Sequence, residues 1–279
     1  LTPAQYAFLA QFLKERSGIA IGEDKRYLVE ARLGPLARRL GLATVADLVG
    51  RVSAGDLESQ RLVIEAMTTN ETFFFRDSGP FTAFTDVMLP ELLVRRAKER
   101  RIRIWSAACS SGQEAYSLAM LLDDWAARLA GWTVDIVATD LSSEVVERAR
   151  AGLFSQFEVQ RGLPIRQLLK HFTQEGDRWR ISAALRARVQ FRTLNLLRDF
   201  SALGRFDIVF CRNVLIYFEE ATKADILARI ARQMAPDGYL VLGSAESLVG
   251  TGAPFGPHAQ HRLLNVPAPR LPGALAAAI

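Results

Sequence analysis

Apolar residues recur at helical spacing from the start of the chain. Within 2–16, Tyr6, Leu9, Phe12 and Leu13 fall on one face, Pro3 suits the first turn, and Ser17-Gly18 stops the pattern. The spacing predicts a second helix over 24–40. Leu28, Ala31 and Leu36 would share its inner face, Arg32, Arg38 and Arg39 would meet solvent, and Gly41 would end it. Two shorter amphipathic pieces, 44–52 and 57–67, complete a small all-α bundle. Residues 68–80, TTNETFFFRDSGP, follow neither helical nor strand period. Helical spacing returns over 81–101 and ends in the basic run RRAKERR.

Past that run the pattern alternates. Buried strands are expected at 102–107, 134–139, 189–193, 206–210 and 239–244, with helices at 113–129, 142–151 and 221–234. Strands separated by helices of this length imply a parallel, doubly wound sheet. Residues 155–188 break the alternation: His171-Phe172 and Trp179–Ile181, separated by 173–178 with its Gly176-Asp177, read as a small inserted hairpin. The division expected is a helical domain over 1–66, a linker over 67–90, an α/β domain over 91–266 carrying the insert, and a tail over 267–279.

With 279 residues, 49% hydrophobic and 23% charged, the chain is of globular composition; disordered, collagenous and disulfide-stapled classes are excluded. No run approaches the roughly 18 uncharged apolar residues of a membrane span. Gln5, Gln11 and Lys14 interrupt the first apolar stretch, unlike a signal peptide. Only Cys109 and Cys211 are present, without a C-x-x-C partner, so a reducing, cytoplasmic setting is expected. Net charge is +5, unevenly placed: 148–205 holds twelve Lys/Arg against four acids. That surplus suits an acidic partner, or simply a solvated Arg-rich face.

Ligands of an open parallel sheet bind beyond the carboxyl ends of its strands. The first strand leads into Ala107-Ala108-Cys109-Ser110-Ser111-Gly112-Gln113-Glu114, where small residues let a ligand approach the backbone. Gly112 is the only glycine there, so the dinucleotide fingerprint is missing and a pyrophosphate cradle is not indicated. The second strand ends in Asp140, an acid placed either to accept the hydroxyls of a ribose or to cap the helix that follows. The fourth continues into Arg212-Asn213 and then the apolar run 214–218, a polar pair above an apolar wall. A nucleoside ligand without diphosphate fits all three ends, and S-adenosylmethionine is such a ligand. His171, His258 and His261 show no metal-binding spacing, and no metal is expected. Cys109 lacks a visible base and reads as a small packing residue.

The chain closely resembles the chemotaxis receptor methyltransferases, which transfer methyl from S-adenosylmethionine to receptor glutamates. The resemblance rests on MTTNETFFFR (67–76), IWSAACSSGQEAYSLAM (104–120), ATDLS (138–142), FDIVFCRNVLIYF (206–218) and APDGYLVLGSAESL (235–248), and runs from Ser17 to about Leu264. It implies a Rossmann-like class I methyltransferase domain with a small inserted β-subdomain, preceded by a small all-α domain. It also implies cofactor contacts at Asn70, Thr72, Arg76, Glu114, Asp140, Asn195, Leu196, Arg212 and Asn213, with Arg76 and Tyr217 beside the transferred methyl. Ser111, Gln113 and Ala115 depart from the Thr, Glu and Pro common in that family. The second helix of the family faces the receptor, which makes Lys25, Arg26, Arg32 and Arg39 candidate docking residues here. The partners implied are the cytoplasmic methylation regions of methyl-accepting receptors. Neither nucleic acid nor membrane insertion is expected, and the expected state is a monomer, with S-adenosylhomocysteine as product. Two rival readings fit less well. A nucleic-acid amino-methyltransferase would show N-P-P-aromatic where Arg212-Asn213-Val214-Leu215 stands, and an idle receptor-binding module would not need Arg76, Glu114, Asp140 and Tyr217 together.

Overall fold

The computed structural model describes residues 1–268; the expected tail beyond 268 lies outside the described residues. Helix α1 (Pro3–Ser17) begins at a capping box in which Thr2 and Gln5 satisfy each other's backbone N–H, and ends at Gly18, left-handed at φ 76°. A Cβ at Gly18 would come within 2.5 Å of the Phe218 ring, so that glycine also lets the α/β domain approach. Helices α2 (Arg26–Arg39), α3 (Val45–Ser53) and α4 (Leu57–Met67) pack with α1 around Tyr6, Leu9, Leu13, Val29, Leu33 and Val63. The inner face of α2 therefore differs from the expected one. Val29, Leu33, Leu36 and Ala37 are buried, whereas Ala31 is exposed, because apolarity in a short alanine does not outweigh the position of larger neighbours.

After the linker, α5 (Gly79–Ala83) runs through a π turn at Phe84–Met88 into α6 (Leu89–Arg95), which stops short of the expected 101. Of the basic run, Arg95 closes the helix, 96–99 is turn and Arg101 is already strand. Strands β1 (Arg101–Ala107) and β2 (Thr133–Asp140) then alternate with α7 (Gln113–Asp124) and α8 (Ser143–Ala151). The insert follows: β3 (Leu153–Ser155), α9 (Gln156–Gln160), α10 (Ile165–His171), β4 (Phe172–Glu175), β5 (Arg178–Ile181) and α11 (Ala183–Ala187). Its sheet has three antiparallel strands, β3-β5-β4, rather than the two of a hairpin. The linker's Phe74 fills its core, edge-on to Phe154 at 5.1 Å and Phe172 at 5.7 Å.

The main sheet resumes with β6 (Val189–Thr193), β7 (Phe206–Cys211), α12 (Glu220–Arg232), β8 (Met234–Leu242), β9 (Phe255–Pro257) and β10 (Leu264–Pro267). Its seven strands lie in the order β6-β2-β1-β7-β8-β10-β9, parallel except for β10, which runs antiparallel to both β8 and β9. Strand order reverses between β1 and β7, which places the crevice of the doubly wound fold above that pair. No helix is long and apolar enough to cross a membrane among the described residues.

Candidate active site

Above that reversal lies a cleft of about 1280 Å³, open solvent included, walled by the strand ends, the 67–76 linker and, from the helical domain, 17–21 with Lys25, Leu28 and Arg32. Asn70, Thr72, Arg76, Glu114, Asp140, Asn195, Leu196, Arg212, Asn213 and Tyr217 all line it. Residues far apart in sequence meet there because each sits at a strand's carboxyl end or on the linker that crosses it.

The turn after β1 is tightly wound, with Ala108 at φ 62°, Ser110 at φ 50° and Gly112 at φ 93°. A Cβ at Gly112 would lie 3.0 Å from that of Ala149 and 3.1 Å from the Phe191 ring. Glycine here lets α7 lie close to its neighbours. The departing residues keep this turn closed: Ser111 Oγ bonds Gln113 Oε1 at 2.9 Å, and Ala115 is fully buried. Asp140 accepts the Ser110 N–H at 2.8 Å and the Ser142 N–H at 3.0 Å. It is not the cap of α8; Ser142 is, accepting from Val145. Asp140 is almost wholly enclosed, and desolvation pushes its carboxyl above the ordinary aspartate value despite those backbone N–H groups.

Arg212 ties three pieces together. Its Nη1 donates to Glu114 Oε2 at 3.0 Å, and its Nη2 to the Arg76 carbonyl at 2.8 Å and to Asp77 Oδ2 at 2.9 Å. Glu114 is held from the other side by Ser106 Oγ at 2.7 Å. The buried Nε of Arg212 has no partner among the described residues. Arg76, anchored through its carbonyl, has a half-buried side chain whose Nη1 donates to the Glu71 carbonyl at 2.9 Å. The linker itself is strained, with Phe75, Asp77 and Ser78 at positive φ. It is braced by Ser110 Oγ on the Asn70 carbonyl at 2.9 Å and by a Glu71–Arg161 ion pair to the insert at 2.6 Å.

Several expected residues make further contacts. Asn195 spends its side chain on the Arg16 carbonyl at 2.7 Å and the Leu197 N–H at 2.9 Å, joining α1 to the sheet domain. Arg32 does not face solvent: Nη1 donates to the carbonyls of Met67 at 2.5 Å and Thr68 at 3.0 Å, and Nη2 to Thr69 Oγ1 at 2.8 Å. Linker carbonyls at the end of α4 offer it more than water does. Arg26 lies over the Tyr6 ring at 4.4 Å and pairs with Glu23, while Lys25 and Arg39 are exposed. Much of the basic 148–205 segment is paired on the surface, as in Arg148–Glu158, Arg180–Glu175 and Arg188–Asp123.

Two residues escaped the reading of the sequence. Glu65 of α4 accepts Ser142 Oγ at 2.9 Å, Ser143 N–H at 3.1 Å and Ser143 Oγ at 2.8 Å, closing the helical domain onto the start of α8. Glu246 binds only main-chain N–H groups around Asn213. Glu246 stands beside Ser247 in the 235–248 run just past a strand, whereas Glu65, between Ile64 and Ala66, gives no such signal. Cys109 and Cys211 are enclosed, and burial pushes both thiols well above their ordinary value, so neither is a ready nucleophile. Among the described residues, no group of three His, Cys, Asp or Glu side chains could hold a metal ion.

The cleft suits a cationic nucleoside. Asp140 and Glu114 are carboxylates, Arg212 has a spare buried N–H, and the wound turn exposes backbone without the glycine cluster a diphosphate needs. Sheet order and site together define a Rossmann-like, S-adenosylmethionine-dependent methyltransferase. Residues 70–262 match the family described as "CheR methyltransferase, SAM binding domain", and 4–68 match "CheR methyltransferase, all-alpha domain". The chain belongs to this CheR methyltransferase family. It is 44% identical over 249 residues to chemotaxis protein methyltransferase 1 of Pseudomonas aeruginosa, covering 88% of this chain and 90% of that one. It is 34% identical to the chemotaxis protein methyltransferase of Escherichia coli, covering 88% and 85%. Among solved structures, a TehB-like SAM-dependent methyltransferase from Corynebacterium glutamicum gives a TM-score of 0.36 at 16% identity, covering 69% of this chain and 92% of that one.

Proposed function

We propose that this methyltransferase acts on glutamate side chains of chemotaxis receptors, turning carboxylates into methyl esters. The observation that carries the reading is the cleft in which Arg76, Glu114, Asp140, Arg212 and Tyr217 converge, open beside the helical domain. The named relatives in Pseudomonas aeruginosa and Escherichia coli are chemotaxis protein methyltransferases, which supports a receptor as substrate.

S-adenosylmethionine supplies an electrophilic methyl on a sulfonium and leaves as a neutral thioether. Asp140 would hold the ribose hydroxyls, and Glu114, steadied by Ser106 and Arg212, the amino-acid end. A glutamate is ionised at neutral pH, so the chain need supply no general base. Arg76 would orient the incoming carboxylate and Tyr217 steer it by its hydroxyl. Tight pairing by Arg76 would blunt the nucleophile, so its role is orientation, which is where most of the rate is to be gained. Two charges disappear as the ester forms, and cofactor and substrate, by displacing water from the cleft as they fill it, would favour that loss.

Transfer of tritiated methyl to the receptors of the same cell tests the reading. The product should release labelled methanol in base. A base-stable label would mean amine methylation, and no transfer to receptors would refute it.

A further inference from the structure

Glu246 follows β8, outside every role assigned above. Its Oε2 accepts the N–H of Asn213 and of Gly243, each at 2.7 Å, and its Oε1 the N–H of Val214 at 2.9 Å and of Leu215 at 2.7 Å. Three of the four donors are consecutive amides. With Asn213 left-handed at φ 58°, they form a concave nest, a geometry that binds anions. Gly243 completes it: a Cβ there would stand 2.7 Å from Glu246 Oε2 and 2.9 Å from the Asn213 nitrogen. The turn so held carries Arg212 at one end and, through the 3₁₀ turn Leu215–Tyr217, Tyr217 at the other. Arg212 in turn fixes Glu114 and the Arg76 carbonyl.

We infer that Glu246 is a positioning residue for methyl transfer, fixing the 212–217 turn so that Arg212 and Tyr217 present themselves to the cleft together. The inference rests on the reaction proposed above. A carboxylate is the group this nest requires, since four N–H donors need acceptors only. Glutamine would set its own NH2 against two of them. Aspartate keeps the charge but falls a methylene short.

The test uses the full chain as wild type, Glu246→Gln and Glu246→Asp. It measures amide hydrogen exchange over 213–215, affinity for S-adenosylhomocysteine, thermal midpoint, and kcat and KM on receptor. Glu246→Gln should speed exchange at 213–215 and lower kcat at least tenfold at saturating substrates, and Glu246→Asp should recover part of both. A kcat per folded molecule within twofold of wild type, with only the thermal midpoint lowered, would make Glu246 merely structural and overturn the inference. Should Glu246→Gln not fold, Glu246→Asp is judged by the same criteria. If wild type forms no base-labile methyl product, the proposed reaction falls instead. Exchange and S-adenosylhomocysteine affinity then decide the turn, and both unchanged would overturn it.

Discussion

Asp140 is asked to ionise where burial opposes ionisation. Its folded pKa stands above the ordinary value near 3.9, so protonation stabilises the empty fold, and that stability is lost as pH rises through the folded pKa. Ribose hydroxyls, in contrast, need the ionised acceptor. Affinity for S-adenosylhomocysteine should therefore hold at neutral pH and weaken on acidification, beginning above the usual carboxylate range. Calorimetry carried from pH 7 down to the ordinary carboxylate range would show it, and a flat profile over that whole span would separate Asp140 from the ribose. Arg76 makes the opposite demand, on geometry rather than charge. Its guanidinium donates to Glu71 O and lies 5.6 Å from the Phe73 ring centre, so it is aimed before substrate arrives. Arg76→Ala should lower kcat by about 100-fold, the scale of a misplaced reactant, with S-adenosylhomocysteine affinity nearly kept. An unchanged kcat would refute that role. Asp140 and Arg76 could be picked out in the sequence because each sits in a long motif or at a strand end. Glu65 could not, because its partners are hydroxyl and main-chain groups supplied by folding; Glu246 lies within the 235–248 run, but its role was not legible there, because the amides it binds come together only in the fold.

Strands and helices were legible where burial set their period. β7 is buried along its whole length, β1 and β2 along their later halves, and β6 alternates buried Val189 and Phe191 with exposed neighbours, so all four read as strands within a residue or two. β9 and β10 were not, since Phe255–Pro257 and Leu264–Pro267 are short, interrupted by glycine and proline, and held only by pairing at the sheet edge. The third strand of the insert is likewise three residues long, and Phe74, its core partner, comes from another part of the chain. The end of α6 shows the same effect. Arg96 leaves the helix because its guanidinium is drawn between Asp207 at 2.8 Å and Asp237 at 2.6 Å, binding it to β7 and β8. Arg96→Met should cost about 3 kcal/mol, because Asp207 would remain enclosed with its charge unpaired and the Arg103 N–H as its remaining donor. The Arg96 hydrogen bond holds Asp237 below its ordinary pKa, so its share of stability exists above about pH 4 and is lost as pH falls through the folded value. Thermal melts of wild type and variant should accordingly draw closer as pH falls below the ordinary carboxylate range. A gap that stays constant would exclude this ion pair as its cause.

At the scale of the whole molecule, the helical domain stands as both roof and approach to the cleft. Glu65 on α8, Asn195 on α1, the Lys14–Glu219 pair at 2.9 Å and the Arg32 clasp on the linker join it to the sheet domain. These contacts separate two kinds of basic residue on α2. Arg32 is committed inward, whereas Lys25 and Arg39 are exposed and Arg26 is half-buried against Tyr6. An acidic receptor surface approaching α2 would feel Lys25 and Arg39, and between exposed charges that attraction is screened beyond about 10 Å at 0.1 M salt. KM for a receptor fragment should therefore rise several-fold between 20 and 200 mM salt, while S-adenosylhomocysteine affinity moves little. Arg39→Glu should raise KM at low salt and flatten its salt dependence. Arg32→Ala should do something else: weaken S-adenosylhomocysteine binding by loosening the linker, and leave the salt slope as in wild type. Equal salt slopes for wild type and Arg39→Glu would mean that the receptor approaches by another face.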